Sequence, residues 1–186
     1  EGPRFLLPEI HLYIAHTWCH LRNTKRMGEA LARALKLRPK PQSEARVRLS
    51  IGNLYYKKGR FREALEEYQQ AEGLARTALI RGRALINQGM ALYQLGRIDE
   101  AASVLKRAVQ RAVAAVNAVD LGLARQYLAW ADFRSGRPKL ALQMTERAAR
   151  LCRQAASIDR EAEALQNGAY FALELGLWTK ARVLTT

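Results

Sequence analysis

Two cysteines in 186 residues cannot build a disulfide framework. The five prolines lie near the N-terminus or at turns, far too few for a collagen or a proline-rich linker. No apolar run approaches the roughly 20 residues that a membrane-spanning helix needs. Acidic residues are scarce, 17 against 31 Lys and Arg, which leaves a formal net charge of +14. Aromatics make up only 8% of the chain, yet half of it, 49%, is apolar and 26% is charged, a globular balance rather than a disordered one. An initiator methionine and a secretory leader pattern are also missing: the chain opens Glu1-Gly2-Pro3-Arg4 and ends inside an apolar periodic run, Ala181–Thr186. The expectation is a basic, all-helical, cytoplasmic protein, and a piece of a longer chain.

The usual marks of catalysis are absent too. The glycines are single and periodic, so no glycine-rich phosphate loop forms, and no G-x-S-x-G elbow occurs. Glu66-Glu67 and Asp99-Glu100 read as surface or helix-start carboxylates suited to the helix dipole. His16 and His20 are four apart, with Cys19 between them, but no carboxylate shares that face to complete a metal site. Neither an enzyme, a metal nor a cofactor is expected.

What is present is a repeated frame. Around Gly59, small Gly52 lies seven residues before, Tyr55 four before, Phe61 two after, Ala64 five after, Tyr68 nine after and Ala71 twelve after. The frame recurs around Gly96 with Gly89, Leu92, Ile98, Ala101, Leu105 and Ala108. It recurs around Gly136 with Ala129, Pro138, Ala141 and Ala148, and around Gly176 with Ala169, Trp178 and Ala181. A degenerate copy places Lys25 where the glycine stands. Successive steps are 34, 37, 40 and 40 residues. Small residues permit close approach of paired helices, and each glycine supplies a left-handed helix cap. Two copies depart from the frame. Asp132 and Ala172 replace its tyrosine, and Thr145 and Thr185 replace its second aromatic, so distorted units or altered faces are expected there.

These residues resemble the tetratricopeptide repeat, whose period is about 34 residues. The resemblance implies an all-α, right-handed superhelical solenoid of about five antiparallel helix pairs, one array over residues 1–186 with units at about 5–38, 43–76, 79–117, 120–156 and 159–186. Ten helices are expected, roughly 5–22, 25–37, 43–58, 61–75, 79–95, 98–117, 120–135, 138–156, 159–175 and 178–186.

The resemblance further implies a concave groove lined by the first helix of each pair. Helical spacing then selects one stripe per unit. In the second unit it holds Arg46, Asn53, Tyr56 and Lys57, in the third Arg83, Met90 and Tyr93, in the fourth Gln126, Trp130, Phe133 and Arg134, and in the fifth Tyr170. Aromatics offer rigid apolar contact, Asn53 and Gln126 can pair with a peptide backbone, and Arg46 and Arg83 can take carboxylates. Asn53 and Asn87 match the two asparagines of the carboxylate clamp found in some family members. Leu49, Leu123 and Tyr127 stand where that clamp needs cations, so the clamp is rejected.

Charge is uneven. Residues 1–60 carry 13 basic and 4 acidic groups, whereas 61–120 carry 8 and 7. The basic end includes Arg22, Lys25, Arg26, Arg33, Lys36, Arg38 and Lys40. The leading expectation is a non-catalytic scaffold that holds a protein or peptide segment, acidic in part, in its groove. One alternative is a sensor segment of a bacterial signalling or transcription regulator, binding a small effector or an inhibitory protein. Another is nucleic-acid binding through the basic N-terminal end. No membrane partner is expected, and the terminal helices can pair copies of the chain.

Overall fold

The structure is a computed structural model that describes residues 6–114 and 117–185. The described residues form ten helices: α1 (Leu7–His20), α2 (Thr24–Lys36), α3 (Pro41–Lys57), α4 (Phe61–Leu74), α5 (Ala78–Gln94), α6 (Ile98–Ala114), α7 (Ala118–Arg134), α8 (Pro138–Gln154), α9 (Ile158–Glu174) and α10 (Trp178–Thr185). Each lies within a few residues of its expected span. Residue 5, expected to start the first helix, residues 115 and 116 of the sixth, and the final residue 186 lie outside the described residues. No strand occurs among the described residues.

Local sequence explains the boundaries. Pro41 and Pro138 open α3 and α8, where a missing N–H costs nothing. The Asn23 side chain accepts a hydrogen bond from the Arg26 N–H, and Asn117 accepts one from Asp120 N–H, capping α2 and α7. Gly59, Gly96, Gly136 and Gly176 take φ between 70° and 77° and end their helices in the left-handed form that side chains resist.

The chain divides into two compact units, Glu1–Ala91 and Leu92–Thr186, with the boundary inside α5. In the first, α1 packs on α2 and α3, and α3 packs on α4. Its core joins Leu12, Met27, Leu31, Val47 and Leu54, with Trp18 and Ile51 packed against them. In the second, α7 packs on α6, α8 and α9, and α9 on α10. There Ala129, Ala141, Leu142, Phe171, Ala172 and Ala181 form one cluster. The alanines of the frame, Ala64, Ala101 and Ala141, are fully buried at 0% exposure, as close helix approach requires.

The departures from the frame distort nothing, since α7 to α9 each run 17 residues unbroken. Thr145 is buried and its hydroxyl turns back on its own helix, donating to the carbonyls of Leu142 at 2.8 Å and Ala141 at 3.2 Å. Asp132 is buried, and the Arg137 guanidinium folds over it at 2.7 Å.

Candidate functional site

In the first unit, the expected stripe runs along α3 and the first part of α5. Tyr68 of α4 lies behind it, where a Cβ on Gly52 would stand only 2.7 Å from its Cδ1. The Tyr68 hydroxyl donates to Asn53 Oδ1 at 2.8 Å, and Asn87 Nδ2 donates to the same oxygen at 3.1 Å. Asn53 and Asn87, 34 residues apart, therefore meet across α3 and α5. Two groups remain without a partner among the described residues: the Asn53 amide NH₂ and the Asn87 side-chain carbonyl. They amount to a donor and an acceptor side by side. Tyr56 is half-buried with its ring edge-on to Phe61, centroids 5.2 Å apart. Arg83 is exposed and Met90 half-buried.

Two cations of this stripe are already engaged. Arg46, expected to take a partner's carboxylate, instead grips Glu9 of α1 at 2.6 Å. Lys57 donates to Cys19 Sγ at 2.9 Å. Both contacts tie α3 to α1, a pairing that spacing within one helix does not reveal. Nearby, His16 Nε2 lies 3.2 Å from the Ser50 hydroxyl. Partial burial of the ring, then the Arg46 charge and His20, hold its pKa below the ordinary histidine value.

In the second unit the stripe is aromatic. Trp130, Phe133 and Tyr170 pack on one another with centroids 5.4 to 6.1 Å apart. Phe171, which sequence reasoning passed over, closes the cluster at 4.8 Å from both Trp130 and Phe133 and is fully buried. Its only signal was adjacency to Tyr170. Tyr170 stays 43% exposed, so the cluster has a wet edge. The Arg134 guanidinium lies over the Tyr93 ring, 5.8 Å from its centroid.

Gln126 departs from expectation. Rather than facing a peptide it is 2% exposed, and its Nε2 has no hydrogen-bond partner among the described residues. The stripe narrows there because α7 is closely packed by its neighbours, so a side chain one turn before Trp130 is covered. A separate cavity of about 230 Å³ is lined by Lys139, Leu142, Gln143, Leu175, Leu177 and Lys180, none of them an expected site residue. No group of three His, Cys, Asp or Glu side chains able to hold a metal occurs among the described residues. No helix there is long and apolar enough to cross a membrane.

The family described as Tetratricopeptide repeat matches residues 21–78 and 49–115, together about half of the chain. No curated protein matches. Among solved structures, Pseudomonas aeruginosa pilF is 20% identical with a TM-score of 0.77, the match covering 97% of this chain and 74% of that one. A Rap protein complexed with Competence and Sporulation Factor is 14% identical with a TM-score of 0.84, over 99% of this chain and 53% of that one. A Signal Transduction ATPase with Numerous Domains from Pyrococcus horikoshii, carrying a tetratricopeptide repeat sensor, is 18% identical with a TM-score of 0.76. That match covers 92% of this chain and 28% of the longer protein. At such identities the likeness is one of fold.

Proposed function

Because the chain belongs to the tetratricopeptide repeat family, we propose that it is a non-catalytic scaffold whose first-helix faces hold a protein or peptide segment. The observation that carries the reading is the Asn53–Asn87 pair, which leaves one amide donor and one carbonyl acceptor free at a surface. A peptide group offers the complementary acceptor and donor, so an extended backbone can be held without regard to its side chains. Taken by itself, the aromatic edge of the second unit, Trp130, Phe133 and Tyr170, offers rigid apolar contact of the kind that dominates recognition. Arg83, exposed on the same stripe, is the cation this reading assigns to an acidic side chain of the partner. Support also comes from the Rap protein of the same fold, solved with Competence and Sporulation Factor bound. The reading places the scaffold in the cytoplasm. The exposed apolar side chains of α1, such as Ile10 and Tyr13, and of α10, such as Trp178 and Val183, are where copies would pair.

The test is capture of a partner from extract by the tagged chain, followed by repetition with Asn53→Ala/Asn87→Ala and with Trp130→Ala/Tyr170→Ala. Loss of a captured protein from either folded variant supports the reading for the unit that carries the change. Undiminished capture by both sinks it. A second reading, a sensor segment of a signalling regulator, draws on the tetratricopeptide repeat sensor of the Pyrococcus horikoshii ATPase and on the 40-residue steps of the later units. A P-loop or helix-turn-helix coded in the same reading frame supports it, and a frame of repeats alone argues against it.

A further inference from the structure

The second helix of the first pair, α2, has four cations and one carboxylate and no ion pair among the described residues. Ion pairs tie Arg46 to Glu9, Arg48 to Glu44 and Glu67, Arg60 to Glu63, and Arg153 to Glu161. None involves α2 or its two flanking turns. Arg22, Lys25, Arg33, Lys36, Arg38 and Lys40 are all exposed, and none has an ion pair or side-chain hydrogen bond among the described residues. The helix has no acidic residue in its first turn. Its single carboxylate, Glu29, is exposed and likewise unpaired.

Backbone geometry adds an independent observation. The turns at either end of α2 place arginines, Arg22 and Arg38, at φ of 54° and 48°. Four other interhelical turns put glycine in that left-handed position, and the α8–α9 turn puts Ala156 there at 53°. An arginine there carries steric strain that glycine does not. Both flanking turns therefore hold an exposed cation where the other left-handed turns hold glycine or alanine.

Helical spacing places Lys25, Glu29, Ala32, Arg33 and Lys36 on one outer stripe. Lys25 and Lys36 are about 16 Å apart along the axis, the length of roughly five base steps of a duplex. The stripe has no aromatic or large aliphatic residue at its centre. The exposed leucines nearby, Leu21 and Leu37, stand beyond its two ends. A protein partner would find no apolar anchor, and exposed ion pairs alone contribute little. A bilayer surface would find nothing on this stripe to insert. Phosphodiester groups need only cations in reach, because released counterions supply the driving force.

We infer that the outer face of α2, with its flanking turns, is a sequence-independent binding surface for the phosphate backbone of nucleic acid. The surface lies apart from the first-helix faces proposed above and stands or falls without them. Fluorescence anisotropy with a labelled 20-base-pair DNA duplex and a 20-nucleotide RNA, using the whole chain between 50 and 200 mM NaCl, tests it. With four to six phosphates engaged, the log–log salt slope on the duplex should lie between roughly −3.5 and −5.5, a loss of about 10²- to 10³-fold across that range.

Lys25→Glu/Arg33→Glu/Lys36→Glu should abolish binding at 50 mM salt. Reversing three exposed cations of the other unit, Lys106→Glu/Arg147→Glu/Arg150→Glu, should weaken it less than about five-fold. Arg33→Gln should lower the slope by about 1. Glu29→Gln should tighten binding about three-fold, a gain that no unfolded variant can mimic. Four results overturn the inference: no salt-sensitive binding of either nucleic acid at 50 mM, equal loss from the two triple variants, no gain from Glu29→Gln, or binding of poly-L-glutamate or of vesicles with 30% phosphatidylglycerol that matches the duplex.

Discussion

The two compact units build the same frame by different means. In the first, the second helix supplies the aromatic: Tyr68 of α4 is buried against Gly52 and gives its hydroxyl to Asn53. Gln88, also buried, donates to the Tyr68 carbonyl and to Glu72, and Arg48 bridges Glu44 and Glu67. In the second unit the corresponding residue of α8 is Thr145, whose hydroxyl bonds to its own helix. Ala129 stands where Gly52 stands in the first. The aromatics come instead from the first helices, as Trp130, Phe133, Tyr170 and Phe171. The side that supplies the rings decides what the other face shows. An aromatic from behind frees α3 for amides, whereas aromatics on α7 and α9 make their own face apolar.

The largest test of this contrast is Phe171→Ala. The ring is fully buried among Trp130, Phe133 and Tyr170, so its loss should destabilise by about 3–5 kcal/mol. Urea denaturation followed by tryptophan fluorescence reads it. Tyr68→Phe keeps its ring and removes the hydroxyl that donates to Asn53, so about 1 kcal/mol is expected. Comparable losses from both would end the claim that one unit leans on rings and the other on polar ties.

Next comes Gly52→Ala. A Cβ there would meet the buried Tyr68 ring, with Cδ1 at 2.7 Å and Cζ at 3.0 Å, an overpacking worth about 1–3 kcal/mol. In a Tyr68→Thr background, which copies Thr145, the same alanine should be neutral or mildly stabilising. A double-mutant cycle with coupling below about 0.5 kcal/mol would show that glycine and tyrosine are not matched.

Much of this architecture was legible beforehand. Gly59, Gly96, Gly136 and Gly176 mark helix ends because only a residue without Cβ takes that φ freely, and the alanines mark contacts because nothing larger fits. Such constraints are local, so spacing exposes them. The site was legible only in part. Asn53, Asn87, Trp130 and Tyr170 come together as pairs, yet the position of Phe171, one residue before the expected Ala172, depends on how α9 turns against α7. Gln126 follows the same spacing as Trp130 and is nonetheless buried, because neighbouring helices rather than its own periodicity cover it. The Arg46–Glu9 and Lys57–Cys19 ties join residues 37 and 38 positions apart, and no one-helix pattern announces them.

Turn chemistry sharpens the contrast at a smaller scale. Gly136 has φ of 77° with open space around a would-be Cβ, so Gly136→Ala should lose about 1 kcal/mol from backbone strain alone. Arg38, at φ of 48° in the first unit, should respond in the opposite sense, with Arg38→Gly gaining between a few tenths and about 1 kcal/mol. Thermal melts of the two variants decide it. A loss from Arg38→Gly would mean the arginine side chain stabilises the turn and is not there at its expense.

The smallest effect expected is one of pH, and it belongs to the first unit alone, since all three histidines lie in α1. His16 Nε2 meets the Ser50 hydroxyl, which itself donates to the Arg46 carbonyl at 3.2 Å. Arg46, held by Glu9, and His20 stand near the ring, while Lys57 and Arg26 are occupied on Cys19 and Trp18. Partial burial first, then the Arg46 charge, depresses the folded pKa below 6.5. The unfolded chain then binds the proton more readily, so stability is complete above pH 6.5 and declines as pH falls through the folded value. Melts of wild type and His16→Gln between pH 5 and 8 should diverge in that window, with the variant flatter. Hydrogen exchange at pH 5.5 should show lost protection in α1 and α3 and none in α7 or α9. Loss that appears first in α7 and α9 would assign the acid sensitivity to the aromatic unit and reverse the division of labour between the two.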